Sequence, residues 1–466
     1  MVFSSGVFLL LFLPIAIAIY YNPVVKNREF RNNWLLIVSL FFYAWGEPRF
    51  VMIMMASVVL NWAAARLMDH CRKERNKRVL LIVLLILNLG LLFIYKYLNF
   101  TLENINRVFH GHIRLTALVL PVGISFFTFQ MLSYVLDVYR GKVQASKSLT
   151  KVALYAMMFP QLVAGPIVRY SSIYESICER QENREDFVYG IRRFVIGLGK
   201  KVILADLLAK IADEVFLASD SVEGVTVLLV WIGALAYTFQ IYFDFSGYSD
   251  MAIGLGRCFG FNFDENFNYP YIARSITDFW KRWHISLTSW FRDYVYIPLG
   301  GNRCSDVRHC FNLFVVWMLT GIWHGANWTF IIWGIIYFVL QFFEKKIMPA
   351  HKVGKWGHIY TMFWVMICWV IFKSDSVTSA FHYIMKMFGV GVPMLDETAV
   401  RTLRGAWVLL VVSGLACLPW NNMQIIRKIP RMAQEVLRQM AVIVIFIVSL
   451  LSVINGNYSP FVYFNF

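Results

Sequence analysis

The stretch FNLFVVWMLTGIWHGANWTFIIWGIIYFVLQFF, Phe311 to Phe343, runs for 33 residues without a Lys, Arg, Asp or Glu. A helix crossing a bilayer needs about 20 consecutive apolar residues, so this run is long enough to lie deep in hydrocarbon. His324 stands near its middle, in Leu319-Thr-Gly-Ile-Trp-His-Gly-Ala-Asn-Trp328. Ionisable groups at membrane depth are costly, and those that persist face a cavity, pair with a partner or do chemistry. The run therefore decides the class of fold and marks its first candidate site.

Outward from that run the same character continues. Of the 466 residues 59% are hydrophobic and 15% charged, and the mean hydropathy is +0.57. That is more apolar surface than a soluble fold of this length can bury, which predicts an all-α, polytopic integral membrane protein. Apolar segments at 7–21, 34–45, 51–65, 79–95, 115–138, 152–168, 225–245, 312–343, 359–372, 406–418 and 442–454 give roughly eleven helical segments by hydropathy. The first lacks a basic flank and a small-residue cleavage site, so it reads as a retained helix. Several segments are short, and Pro160 and Pro166 interrupt one of them, which predicts re-entrant or interfacial helices. With no linker or fixed-period repeat, the chain reads as one integral domain, residues 1–466, with a core at about 240–343.

Basic loops set an expected orientation. Lys26, Arg28 and Arg31, then Arg66 to Arg78, then Arg140, Lys142, Lys147 and Lys151 share one side, joined by Lys345, Lys346, Lys352, Lys355, Arg427, Lys428, Arg431 and Arg438. By the positive-inside rule both termini are extracytoplasmic. The same loops and anionic headgroups account for the net charge of +16, and nucleic-acid binding is excluded for want of a soluble basic domain. Seven cysteines without a C-x-x-C pair give no disulfide framework, and Cys304, His309 and Cys310 match no zinc spacing, so no metal is expected. The polar stretch from Arg169 to Arg193 reads as a solvated loop leading into an interfacial amphipathic helix from Phe187 to about Leu208.

Residues 242–303 differ in kind, because polar, charged and aromatic side chains crowd together there. Asp244 and Asp250 end an apolar segment, while Asp278, Lys281, Arg282 and His284 fall within about two helical turns. Asp278 and Arg282 are i,i+4 neighbours, and Trp280, Trp283 and Trp290 give the element an aromatic body. Such a polar face would line a water-accessible wall with His284 near it. Soluble-enzyme motifs fail: Gly247-Tyr-Ser-Asp-Met251 lacks the closing glycine of a nucleophile elbow, and Gly254, Gly256 and Gly260 miss the dinucleotide spacing. The chemistry falls to the histidines. A neutral imidazole can take the proton of a hydroxyl as that hydroxyl attacks an activated acyl group. Trp323 would pack beside it, and the Asn327 amide could bind an acyl oxygen; a purely structural histidine bonded to a carbonyl is the alternative.

Four runs carry a resemblance: FDFSGYSDMAIG from Phe243 to Gly254, ENFNYPY from Glu265 to Tyr271, DFWKRWHISL from Asp278 to Leu287, and GIWHGANW from Gly321 to Trp328. Together they resemble the membrane-bound O-acyltransferase family. YIPLGGNR at Tyr296–Arg303 and the terminal NYSPFVYFNF are more similar to its bacterial alginate O-acetyltransferase branch than to its D-alanyl branch. The resemblance implies many helices around a central funnel in the bacterial inner membrane, with His324 as catalytic histidine and His284 as the second characteristic one. It implies acetyl-CoA as a cytoplasmic donor and no bound cofactor. It also implies a secreted polysaccharide as acceptor, with an extracytoplasmic SGNH-type partner completing the transfer. Asp244, Asn266, Asn268, Asp278, Lys281, Arg282, Trp323 and Asn327 are then candidate tunnel or supporting residues. A polysaccharide or acyl transporter, and a scaffold that recruits a soluble transferase, are the readings from other classes.

Overall fold

The computed structural model describes residues 1–220, 224–347, 354–420, 428–456 and 461–462, with Lys355 described in its backbone only. Lys352, Arg427 and most of the terminal motif of residues 457–466 lie outside the described residues. These residues form helices and no strand, in two compact units: Met1–Phe194 with Ser249–Asp264, and Val195–Tyr248 with Glu265–Phe466. Six described helices are long and apolar enough to cross a membrane: Phe50–His70, Glu74–Phe109, Val227–Cys258, Trp328–Lys346, Glu397–Ala416 and Arg431–Ile454. Phe8–Tyr20 and Gly357–Lys373 are shorter apolar helices. Their exposed flanks are rich in Leu, Ile, Val and Phe, as lipid-facing surface requires.

In the first unit, α1 (Leu13–Tyr20), α2 (Arg28–Ala44), α3 (Phe50–His70), α4 (Glu74–Leu92), α5 (Leu98–Phe109), α6 (Ile124–Tyr139), α7 (Leu149–Met157) and α8 (Tyr170–Glu179) follow one another, and α9 (Arg184–Gly199) begins there. Asn27 caps α2, its side chain accepting from the Glu29 N–H at 2.8 Å. Phe3, Phe8, Phe12, Phe42 and Phe159 form an aromatic core with ring centroids 5.0–6.4 Å apart. Asn61 and Asn88 exchange side-chain hydrogen bonds between α3 and α4 at 3.1 and 2.8 Å, which satisfies both amides in an apolar setting.

Two elements differ from the sequence reading, and a third breaks where its prolines predict. The segment expected at 115–138 is helical only from Ile124, because Pro121 and the left-handed Gly123 (φ +79°) hold the preceding chain out of the helix. The segment at 152–168 leaves the helix at Met157, ahead of Pro160 and Pro166, and continues as a buried irregular stretch. The polar stretch after Arg169 forms α8, and the helix expected from Phe187 to about Leu208 starts at Arg184 and passes through a π-turn, Lys200–Ala205, into α10 (Asp206–Asp220).

The second unit contains α10, the greater part of α11 (Val227–Cys258), α12 (Ile276–Arg282), α13 (Ile285–Phe291), α14 (Asp306–His324), α15 (Trp328–Lys346), α16 (Gly357–Lys373), α17 (Val377–Met387), α18 (Glu397–Ala416) and α19 (Arg431–Ile454). The 33-residue apolar run becomes a hairpin of α14 and α15, broken at Gly325–Asn327. A Cβ on Gly321 would lie 2.5 Å from the Phe330 carbonyl oxygen, and one on Gly334 2.5 Å from that of Trp317. Glycine at both positions lets the two backbones touch, as small residues do between membrane helices. Trp317 Nε1 donates to Gln341 Oε1 at 3.0 Å along the same seam.

Candidate active site

His324 is the last residue of α14 and is 3% exposed. Three rings from three helices meet it edge to face: Trp323 at 5.1 Å, Trp333 of α15 at 5.0 Å and Phe372 of α16 at 5.1 Å. Such contacts fix the plane of an imidazole and exclude bulk water from it. Gly325 makes the enclosure possible, because a Cβ there would lie 2.2 Å from the Phe330 ring, which packs on Phe372 at 4.9 Å. Asn327 restarts the helix as the cap of α15: its Oδ1 accepts from Thr329 N at 3.1 Å, and its Nδ2 donates to the Asp375 carbonyl at 2.8 Å.

His284 shares a ring contact with His324 through Trp323: the His284 and Trp323 rings are 5.8 Å apart. The sequence placed it on the same helical stretch as Asp278 and at a wet wall. In the structure α12 stops at Arg282, and His284, fully buried, adopts a left-handed backbone (φ 46°) as the cap of α13. Asn266 explains its tautomer. The Ser286 backbone N–H and hydroxyl both donate to Asn266 Oδ1, at 3.2 and 2.9 Å, so that atom is the amide oxygen. His284 Nδ1, 3.2 Å from the same oxygen, must then carry the proton and donate, which makes Nε2 the acceptor nitrogen. His284 lies outside the six apolar spans, and burial pushes its pKa down to about 3, in keeping with a neutral ring.

The other residues singled out in the sequence separate into two places. Asp278 and Arg282 pair at 2.9 Å, as the i,i+4 spacing predicts, and Arg282 also donates to the Asn268 carbonyl at 3.3 Å while Asn268 N donates back to the Arg282 carbonyl at 2.9 Å. Lys281 is exposed on the same short helix. Asp244 is elsewhere: it meets Lys201 at 2.7 Å, Lys201 meets Asp206 at 2.7 Å, and the Val462 N–H donates to Asp244 Oδ2 at 2.7 Å. This buried triad ties α11 to the π-turn before α10.

Sequence reasoning missed Glu344. It is 3% exposed, near the end of α15, and its carboxylate accepts from Ile276 N at 2.5 Å, Thr277 N at 2.9 Å and Thr277 Oγ1 at 2.7 Å. An anion at the first turn of α12 satisfies donors that a helix start leaves open. One helix thus touches both histidine supports: Trp333 of α15 packs on His324, and Glu344 anchors the short helix that leads to His284. The signal that could have found it was the carboxylate closing an apolar run, which reads on its own as a solvated flank beside Lys345 and Lys346.

Two neutral-capable imidazoles in a dry aromatic setting, both in ring contact with one indole, form an arrangement suited to moving protons at an acyl centre. Comparison with known proteins decides the family: residues 142–381 match the model of MBOAT, the membrane-bound O-acyltransferase family. The chain belongs to that family. It is a multi-pass membrane O-acyltransferase. It is 42% identical over 418 residues to the "Probable alginate O-acetylase AlgI" of Pseudomonas aeruginosa, covering 88% of this chain and 79% of that one. It is 35% identical over 427 residues to the peptidoglycan O-acetyltransferase of Helicobacter pylori, covering 84% and 80%. With the teichoic acid D-alanyltransferase of Bacillus subtilis it shares 31% identity over 253 residues, half of this chain.

Proposed function

We propose that this acyltransferase passes an acetyl group from acetyl-CoA, on the cytoplasmic side, toward a hydroxyl of a secreted polysaccharide such as alginate, directly or through an extracytoplasmic SGNH-type partner. The enclosure of His324 by Trp323, Trp333 and Phe372 is the observation that carries this reading. His324 acts as general base: the acceptor oxygen attacks the thioester carbonyl, its proton passes to the imidazole, the C–S bond breaks, and the thiolate leaves and takes up that proton. Each atom is accounted for without a cofactor. His284, held by Asn266 as an Nδ1–H donor, orients the acceptor or assists proton transfer. The whole chain works as one integral domain of the bacterial inner membrane, with its chemistry between about residues 240 and 343, both termini outside and Lys345 and Lys346 inside. The acetyl reading draws support from the two O-acetylating relatives, which align over most of both chains, whereas the D-alanyl relative aligns over half of this one.

The test is transfer from isotopically labelled acetyl-CoA in proteoliposomes, with a glycan-modifying partner supplied, for the natural chain and for His324→Ala. Loss of a positioned general base lowers the rate by about 10²–10⁴-fold, while the variant keeps its helical content and monodispersity. Equal rates in the two folded proteins would remove His324 from the chemistry, and no transfer by either would favour transport or scaffolding.

A further inference from the structure

Indole N–H groups in this protein commonly find an acceptor. Trp62 donates to the Ser146 carbonyl at 2.9 Å, Trp231 to the Met387 carbonyl at 2.9 Å and Trp317 to Gln341 Oε1 at 3.0 Å. Trp333 does not. Its side chain, on α15, is 0% exposed, and its Nε1 has no hydrogen-bond partner among the described residues. A buried donor left open destabilises the fold that holds it, and phenylalanine would occupy much of the same apolar site without that cost. An N–H kept under these conditions calls for an acceptor that arrives from elsewhere.

The surroundings of Trp333 say which acceptor that is. Its ring stands 5.0 Å from that of His324 with 82° between the planes, so indole and imidazole form a corner. When a hydroxyl attacks a thioester beside His324, the π pair of the carbonyl moves onto oxygen, and that oxygen is the strong acceptor the reaction creates. A donor to such a charge acts best when it is fixed in advance and kept from water. Trp333 meets both conditions. A Cβ on Gly334, the next residue, would lie 2.5 Å from the Trp317 carbonyl oxygen, which leaves the backbone no room to slide, and the rings of Trp280, Tyr337 and Phe372 enclose the indole at 5.5, 5.0 and 5.4 Å.

We propose that Trp333 is a further catalytic residue, whose Nε1–H donates to the thioester carbonyl oxygen and holds it as the oxyanion of the tetrahedral intermediate. The acceptor oxygen bonds to the carbonyl carbon as its proton passes to His324. The carbonyl oxygen takes the π pair while bonded to Trp333, then returns it as the C–S bond breaks and the thiolate leaves with the proton. This rests on the thioester transfer of the proposed function.

Acetyl transfer from acetyl-CoA is measured in proteoliposomes, with a glycan-modifying partner supplied, for the full natural chain, for Trp333→Phe, and for a chain with benzothienylalanine at 333, an isostere that carries sulfur in place of the N–H. Both replacements lower kcat by about 10²–10³-fold, the effect of removing one donor to an oxyanion. KM for acetyl-CoA stays within about threefold, because the bond strengthens with the charge of the transition state. The isostere unfolds at or above the temperature of the natural chain, since a donor without an acceptor has been removed from the interior. Trp280→Phe removes another unpartnered N–H, from a ring that touches neither histidine, and keeps kcat within about threefold. Natural-level kcat in the isostere overturns the proposal, as does an equal fall for Trp280→Phe. Unfolding of the isostere well below the natural chain assigns the N–H to a buried water and overturns it too. Infrared spectra of carbonyl-labelled acetyl-CoA bound to the His324→Ala chain separate this proposal from the reading beneath it. A thioester carbonyl band that rises in frequency when Trp333→Phe is added upholds the contact even if the natural chain transfers no acetyl group, a result that sinks the proposed function alone. A band indifferent to residue 333, in a chain without transfer, sinks both.

Discussion

His284 meets two demands at once. Its backbone is left-handed, a conformation that costs an L-residue about 1–2 kcal/mol and that Asn tolerates better than most, and its ring is fixed by Asn266 as an Nδ1–H donor. Strain of this kind persists where the surroundings hold it, often at functional sites. The two demands can be separated by substitution. His284→Asn keeps the left-handed cap and is expected to unfold within a few degrees of the natural chain, yet to lose at least tenfold in acetyl transfer. His284→Ala loses the same activity and unfolds at lower temperature in addition. Thermal unfolding in detergent with a parallel transfer assay separates them, and natural-level transfer by His284→Asn would show that the imidazole is dispensable. At this scale the sequence was readable where chemistry was out of place, as for a histidine in an apolar run. It was mute about conformation, since nothing in Trp283-His284-Ile285 announces a left-handed residue, and the backbone choice follows from Asn266, 18 positions earlier.

At the scale of elements, the site depends on α12, a seven-residue helix too short to stand alone. Glu344 holds its first turn with three hydrogen bonds, and removing a buried acceptor costs roughly 1–3 kcal/mol for each donor left open. Glu344→Ala is therefore expected to lower kcat about tenfold or more through a displaced His284, with a smaller effect on KM for the donor. Glu344→Gln retains one acceptor oxygen and should restore most of the rate. If both variants fall equally in kcat and KM, or neither falls, Glu344 does not position the site. The run at 312–343 read as one apolar segment, and its division into α14 and α15 was not legible; the break follows from Gly325 and the capping side chain of Asn327. The irregular stretch after Met157 was foreseen from Pro160 and Pro166, while the chain before Ile124 was not, because Leu115–Leu120 is apolar enough to pass for helix. The triad of Lys201, Asp206 and Asp244 was hidden for another reason: Lys200-Lys201 looks like a solvated pair until the π-turn points one of them inward.

On the scale of the whole molecule, membrane class and family were open to reading from composition and four motifs, whereas the use of the surface charges was not. Arg28 and Arg31, assigned by sequence to topology, converge on Glu182 at 2.5 and 2.7 Å, with buried Arg180 beside them and the Tyr20 hydroxyl donating to the same carboxylate. Burial alone would raise the pKa of Glu182, but hydrogen bonds from Arg28 and Tyr20 and the charges of Arg28 and Arg31 outweigh it and hold it at about 2, below its ordinary 4.5. A carboxylate depressed on folding adds stability above its unfolded pKa and loses it as pH falls through the folded value. Unfolding temperature is thus expected to drop between pH 4.5 and about 2. Glu182→Gln should flatten that dependence and lower stability at neutral pH, because three arginines lose their counter-charge. Unfolding followed in detergent across this range checks it, and an identical acid profile for Glu182→Gln would refute the assignment.

The bond between Asp244 and Val462 has a consequence in time. Its two ends are 218 residues apart, and the carboxylate that receives it sits in the middle of α11. A ribosome making the chain at roughly 5–20 residues per second emits Val462 some 10–40 s after Asp244. Throughout that interval α11 and the Lys201–Asp206–Asp244 triad already exist with this contact unmade, so the carboxylate gains its backbone donor long after its ion pair. A chain without Val462 keeps the Lys201 ion pair but leaves the other oxygen of that carboxylate without its backbone donor, at a point where the folded protein is dry.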